Sequence, residues 1–202
     1  LLSASMKRAV MLRHRQDNPC VGVKIPKETE YRETSTFLTK DQWNRVHENI
    51  DPHYQLFFEF LVSSGLRFSE ATALKASDFI LDVEPHSVRV TKAWKEDERH
   101  GYYVGPPKTP KANRTVALPE PLVAKLRPVV AAAGDGLVFR QPRGGAIRSS
   151  AAHKVWGPAC TKAGLEKDKR PRIHDLRHTH ASWMVQIGFN MFDLSYRLGH
   201  TS

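Results

Sequence analysis

The chain has 202 residues, 40% hydrophobic and 26% charged, the makeup of an ordinary folded domain and not of a collagen-like or low-complexity chain. No apolar run approaches the roughly 18 residues a membrane-spanning helix needs. The two cysteines, Cys20 and Cys160, form neither a disulfide framework nor a CxxC metal knuckle, which makes a reducing, intracellular setting the default. With 31 basic and 21 acidic residues the net charge is +10, an excess that predicts an anionic partner, most often nucleic acid. The opening Leu1-Leu2-Ser3-Ala4 has neither an initiator Met nor a signal-peptide stretch, so the chain is expected to be a piece of something longer.

Residues 1–16 predict a helix with Leu2, Met6 and Val10 down one side, stopped by Asn18-Pro19. Residues 21–36 are polar and without periodicity, a linker, and a new compact unit is expected from 37 to 202. It opens with Thr39 as N-cap of one helix and Asp51-Pro52 as the cap and first turn of another, which carries Leu56, Phe57, Phe60 and Leu61 to Ser64. Gly65 stops that helix, and a short one follows from Ser69 to Leu74. Phe79–Leu81, Ser87–Thr91, Tyr102–Val104 and Thr115–Leu118 are β-branched or aromatic runs suited to a small sheet. Helices are then expected from Pro119 to about Ala132, from Ser149 to Ala163, from Ile173 to Ile187, and after the cap Asn190. The order predicts an α+β fold, mostly helical, with a small antiparallel sheet inserted early.

Three segments could carry chemistry. Ser63-Ser64-Gly65-Leu66-Arg67-Phe68-Ser69-Glu70 places an Arg in a glycine turn between helices, where its planar fork matches two phosphate oxygens. A surface Arg paired with Glu70 would read the same way from this segment alone. Pro107 to Arg114 puts Lys108, Lys111 and Arg114 in a turn between two predicted strands, a hairpin tip from which a lysine can reach a reacting oxygen. Arg172 to His180 opens a long helix with His174, Arg177 and His178 on one face. His174-Asp175 with His178 also imitates the H-E-x-x-H zinc helix. There the acid is a methylene too short for that general base, and the neighbouring arginines disfavour a bound dication.

In chain order, Gly65-Leu66-Arg67-Phe68-Ser69-Glu70, Lys108-Thr109, His174-Asp175-Leu176-Arg177-His178-Thr179 and Leu198-Gly199-His200 resemble the tyrosine recombinase (phage integrase) family. The resemblance covers about residues 37–202, the family's catalytic domain, and makes residues 1–20 the last helix of its core-binding domain. It implies that Arg67 and Arg177 hold the scissile phosphate, and that Lys108, or Lys111 if the register is shifted, protonates the leaving oxygen. His174 would assist proton transfer, His200 would bond the phosphate, and Glu70 would orient the site. Lys92, Lys95, Lys111, Arg114, Arg143 and Arg148 are the expected DNA-backbone contacts. The resemblance implies double-stranded DNA and other protomers as partners, no cofactor, no metal, and the cytoplasm of a bacterial or phage-infected cell, at the nucleoid.

The family's nucleophilic tyrosine falls soon after Leu-Gly-His, but this sequence ends at Ser202, and Tyr196 stands on the wrong side of the motif. The chain as given is therefore expected to be monomeric, to bind DNA weakly and not to cleave it. A non-catalytic DNA-binding module is the alternative, and the residues that follow Ser202 would decide between them.

Overall fold

The computed structural model describes residues 2–23, 37–97, 100–106, 113–167 and 170–199. The chain divides into two compact units, Leu1–Glu33 and Thr34–Ser202. In the first, helix α1 spans Leu2–Met11 and stops short of the expected residue 16. Arg13 takes a left-handed conformation, and the Asn18 side chain folds back to donate to the carbonyl of Ser3 at 3.2 Å. The same side chain accepts from the N–H of Cys20, so the segment closes as a turn instead of extending the helix.

The second unit starts with α2 (Lys40–Glu48), capped reciprocally by Thr39 and Gln42, and α3 (Pro52–Ser64), capped by Asp51 with proline in its first turn. α3 is the spine of the core. Tyr54, Phe57, Phe58, Phe60, Leu61 and Val62 are all buried, so the helix is enclosed on nearly every side. Phe57 and Phe60 meet Phe139 with ring centroids 5.3 and 4.9 Å apart, and Phe58 stacks on Trp156 at 5.1 Å. Trp156 belongs to α6 (Ser149–Lys162), and α7 (Asp175–Gln186) packs along α3. The α7 side chains Thr179 and Trp183 bond the backbone of Leu38, tying the start of the unit to this helix.

The short helix α4 (Phe68–Ala71) leads into the β region. Strands β1 (Phe79–Ile80), β2 (Ser87–Val90) and β5 (Arg114–Ala117) form one antiparallel sheet in the order β1-β2-β5. β3 (Ala93–Asp97) and β4 (Gly101–Gly105) form a second. Together with α5 (Glu120–Ala133) and α8 (Met191–Leu198), the architecture is α+β and mostly helical, as expected. Among the described residues no helix is long and apolar enough to cross a membrane.

Two expectations change. β3 was not anticipated, because Trp94-Lys95-Glu96-Asp97 is charge-rich and lacks the β-branched pattern; it forms because its partner β4 offers an in-register edge from Ala93↔Gly105 to Asp97↔Gly101. The strands on either side of the Lys108 segment also do not pair with each other: β4 pairs with β3 from Ala93↔Gly105, and β5 pairs with β2 from Val90↔Arg114. Lys108 itself lies outside the described residues.

Because Phe58 is fully buried and stacked on Trp156, Phe58→Ala should lower unfolding free energy by about 3–5 kcal/mol, read from urea denaturation followed by circular dichroism.

Candidate active site

The site is organised where α3 ends. Gly65 closes that helix in the left-handed conformation with φ 67°. A Cβ at this position would stand 2.5 Å from Cδ2 of His180, so both the turn and the close approach of α7 call for glycine. The chain leaves the turn extended at Arg67, whose N–H donates to Glu70 Oε2 at 2.9 Å and whose Nη1 donates to Oε1 at 3.0 Å. The Glu70 side chain is only 2% exposed, while that of Arg67 is 38% exposed.

A second arginine reaches Glu70 from β5. Arg114 Nη1 and Nη2 donate to Oε1 and Oε2 at 3.1 and 2.8 Å, a bidentate pair in which the arginine side chain is 1% exposed. Burial by itself would push the Glu70 carboxyl up; the hydrogen bonds and charge of Arg114, with those from Arg67, overcome it and hold the group below the ordinary carboxylate range.

Arg177 projects from α7 into the same place. Its Nη1 donates to the carbonyl of Gly65 at 2.8 Å and its Nη2 to that of Leu198, so it bridges the ends of α3 and α8. Burial, then the charges of Arg67 and Arg114, lower its pKa to about 10, with Glu70 opposing. Arg197 repeats the pattern from α8. Its Nη2 donates to the carbonyls of Ala117 at 2.8 Å and Ser63 at 3.4 Å, and its Nε to His180 Nε2 at 3.1 Å. That last bond fixes the tautomer: His180 Nδ1 carries the proton and donates to the carbonyl of Val62 at 2.9 Å. Burial, then the Arg197 charge, drive the His180 pKa down to about 3.

His174 precedes the first turn of α7 and is exposed, as is His178, with their rings edge to face at 5.6 Å. Partial desolvation of the ring, then the charges of His178 and Arg177, lower the His174 pKa. Asp175 does not turn toward the histidines. Its carboxylate accepts the N–H of Arg172 at 2.8 Å and two guanidinium bonds at 3.0 and 3.1 Å, tying the segment before α7 to its first residue. No group of three or more His, Cys, Asp or Glu among the described residues is placed to hold a metal ion.

Arg67, Glu70 and Arg177 are thus brought together, with His174 at the start of the helix carrying Arg177. Lys108, Lys111 and His200 lie outside the described residues. Arg114 corrects an expectation. It was expected among the DNA-backbone contacts, but it is an inward-facing β5 residue paired with a buried carboxylate. Lys92 is tied to Asp78, with Nζ 2.5 and 2.8 Å from the two carboxylate oxygens. Lys95 is half-buried in β3, Arg143 is exposed, and Arg148 lays its guanidinium 3.8 Å over the ring of Tyr102. The roles of Arg197 and His180 went unread. A signal existed for the second: His180 shares the buried stripe of α7 with Leu176, Thr179 and Trp183, and a polar group at such a position must find partners.

A sequence profile described as the Phage integrase family matches residues 36–202. The chain belongs to this family. Among its relatives, the integrase of Mycobacterium phage D29 is 30% identical over 212 residues, covering all of this chain and 54% of the relative. The tyrosine recombinase XerC of Actinobacillus pleuropneumoniae is 28% identical over 192 residues, covering 92% of this chain and 56% of the relative. The chain therefore spans about half the length of the curated relatives it matches. The Tn1549 transposon integrase in complex with circular intermediate DNA superposes with a TM-score of 0.75 at 21% identity, over 99% of this chain and 69% of that one. A lambda integrase dimer bound to a core site gives 0.64 at 19%, over 100% and 54%. At these identities the family's fold is what is shared.

The neutral His180 at the heart of this integrase-family site has a consequence for stability. Above pH about 6.5 folded and unfolded chains both hold a neutral imidazole, and nothing is lost. As pH falls below that value the unfolded chain takes up a proton that the folded chain refuses, so stability drops until the folded-state pKa of about 3. His180 should contribute a slope of up to about 1.4 kcal/mol per pH unit between pH about 6 and about 4. His174, also lowered, adds to the same window, so the comparison is with His180→Gln. Urea midpoints for this variant should change distinctly less between pH about 7 and about 5 than those of the wild type.

Proposed function

We propose that this chain is the catalytic part of a site-specific DNA recombinase that cuts and rejoins strands through a 3′-phosphotyrosyl link. The observation that carries the reading is the convergence of Arg67 and Arg177 at the end of α3, Arg177 bonded to the Gly65 carbonyl two residues before Arg67, beside a carboxylate already answered by Arg114. The result is a rigid site with surplus positive charge, suited to the two non-bridging oxygens of a phosphodiester.

In the proposed reaction a tyrosine oxygen attacks phosphorus, the P–O5′ bond breaks, and the phosphoryl group stays on the 3′ end as a phosphotyrosine. The tyrosine proton leaves on the His174 side, and Lys108 gives a proton to the departing 5′-oxygen. Arg67 and Arg177 take the charge developing on the non-bridging oxygens, with His200 as a further hydrogen-bond donor. Rejoining is the same step run backward with another strand's 5′-hydroxyl. The attacking tyrosine follows Leu198-Gly199-His200 in this reading, and no tyrosine stands at 201 or 202. Double-stranded DNA is the partner, joined on it by further recombinase protomers, while the 202-residue chain is a monomer in solution. Residues 1–20 belong to a DNA-clamping core-binding domain, 21–36 to a linker, and 37–202 to the catalytic domain. Lys92, Lys95, Lys111, Arg143 and Arg148 remain candidate backbone contacts, giving salt-dependent binding. The site of action is the cytoplasm, at the nucleoid, and the chemistry uses no cofactor or metal.

The test uses protein extended through the coding sequence after Ser202, with attachment-region DNA and EDTA. An SDS-resistant protein–DNA adduct is expected, and Arg177→Ala should reduce its formation by at least about 100-fold. Tight, salt-sensitive binding without an adduct would instead mark a non-catalytic DNA-binding module, and cleavage restored only by zinc would mark a metal hydrolase.

A further inference from the structure

We infer that Arg114 is a positioning residue, holding Glu70 so that Arg67 presents its guanidinium to a DNA phosphate. The inference rests on the phosphate-binding reading of the site. Arg114 cannot itself meet DNA in this arrangement, since its side chain is 1% exposed. It acts through what it grips. Each Glu70 oxygen is shared between the two arginines: Oε1 accepts from Arg67 Nη1 and Arg114 Nη1, and Oε2 from the Arg67 N–H and Arg114 Nη2. Arg114 satisfies the carboxylate with a flat two-point contact, and Arg67 is held at its backbone and one nitrogen while much of its side chain stays exposed.

A single arginine facing a buried carboxylate would be drawn onto it bidentately, and its charge would be spent there. Two arginines on one carboxylate leave the cluster with a positive charge for a ligand. The third grip of Arg114 is on α8. Its Nε donates to the carbonyl of Arg197 at 2.8 Å, and its Cδ and Nη1 lie 3.3 Å from where a Cβ on Gly199 would stand. One guanidinium therefore fixes both the Arg67 turn and the end of the helix that leads into His200. Lysine cannot substitute, because a single ammonium has no fork to span two oxygens and a carbonyl at once.

The test is a binding cycle with the 202-residue chain and a fluorescent attachment-region duplex. In the wild-type background Arg67→Gln should weaken binding about tenfold. In the Arg114→Lys background, which keeps the charge and loses the fork, the same change should cost less than about twofold, because Arg67 no longer sits on the phosphate. A role limited to stability would leave the cost of Arg67→Gln undiminished, and that result overturns the inference. Should Arg114→Lys fail to fold, Glu70→Gln loosens the same contact and should abolish the coupling equally; undiminished coupling there also overturns it. The extended chain assayed for adduct separates the two readings. Coupling without any adduct removes the cleavage chemistry and keeps the role of Arg114, whereas adduct without coupling does the reverse. Absence of DNA binding by the wild type overturns both.

Discussion

A carboxylate buried to 2% exposure must be answered by cations or lose its charge, and Glu70 imposes that condition on everything near it. Arg114 answers it from β5 and Arg67 from the turn after α3, so the strand, the turn and the short helix α4 are held in one geometry by one side chain. Arg177 stands beside this pair, where burial first, and then the like charges of Arg67 and Arg114, lower its pKa. The cluster carries more positive charge than its single carboxylate removes. Such an arrangement suits an anion, which is the property the proposed phosphate-binding role draws on.

Repulsion among guanidinium groups has to be countered by something besides Glu70, and helix ends do it. At the close of α3, Arg177 donates to the carbonyl of Gly65 and Arg197 to that of Ser63; at the close of α8, Arg177 donates to Leu198 and Arg114 to Arg197. These are groups with no partner inside their own helices, at the negative ends of the helix dipoles. Two helix C-termini converging on one point therefore make a cradle for arginines. His180 completes it as a neutral ring, bonding Val62 on one side and taking a hydrogen bond from Arg197 on the other. A protonated ring could not accept that second bond, so the cradle depends on His180 staying neutral.

Much of this was legible in the sequence because local rules set it. Thr39, Asp51 and Asn190 cap the helices they were expected to cap, and Gly65 ends α3 as its position demanded. Arg67 and Glu70 read as a unit because they stand three positions apart in one turn. Long-range placement was a different matter. Arg114 is 44 residues from Glu70, and nothing in the local sequence distinguishes an inward-facing arginine at the start of a strand from the two lysines that precede it, Lys108 and Lys111. β3 hid behind its charges for the same reason: its partner strand, and not its composition, makes it a strand. Arg197 and His180 meet only when α8 packs back against α7 and the end of α3, a tertiary event with no short-range signature.

The claim that everything here rests on is a phosphate seated between Arg67 and Arg177 over an intact Glu70–Arg114 pair. A crystal structure of the chain bound to attachment-region duplex DNA tests it directly. One backbone phosphate is expected with oxygens about 3 Å from both guanidinium groups, and Arg114 still gripping both oxygens of Glu70. DNA lying elsewhere on the unit with no phosphate at Arg67 and Arg177, or Arg114 swung off Glu70 onto the phosphate, would contradict it.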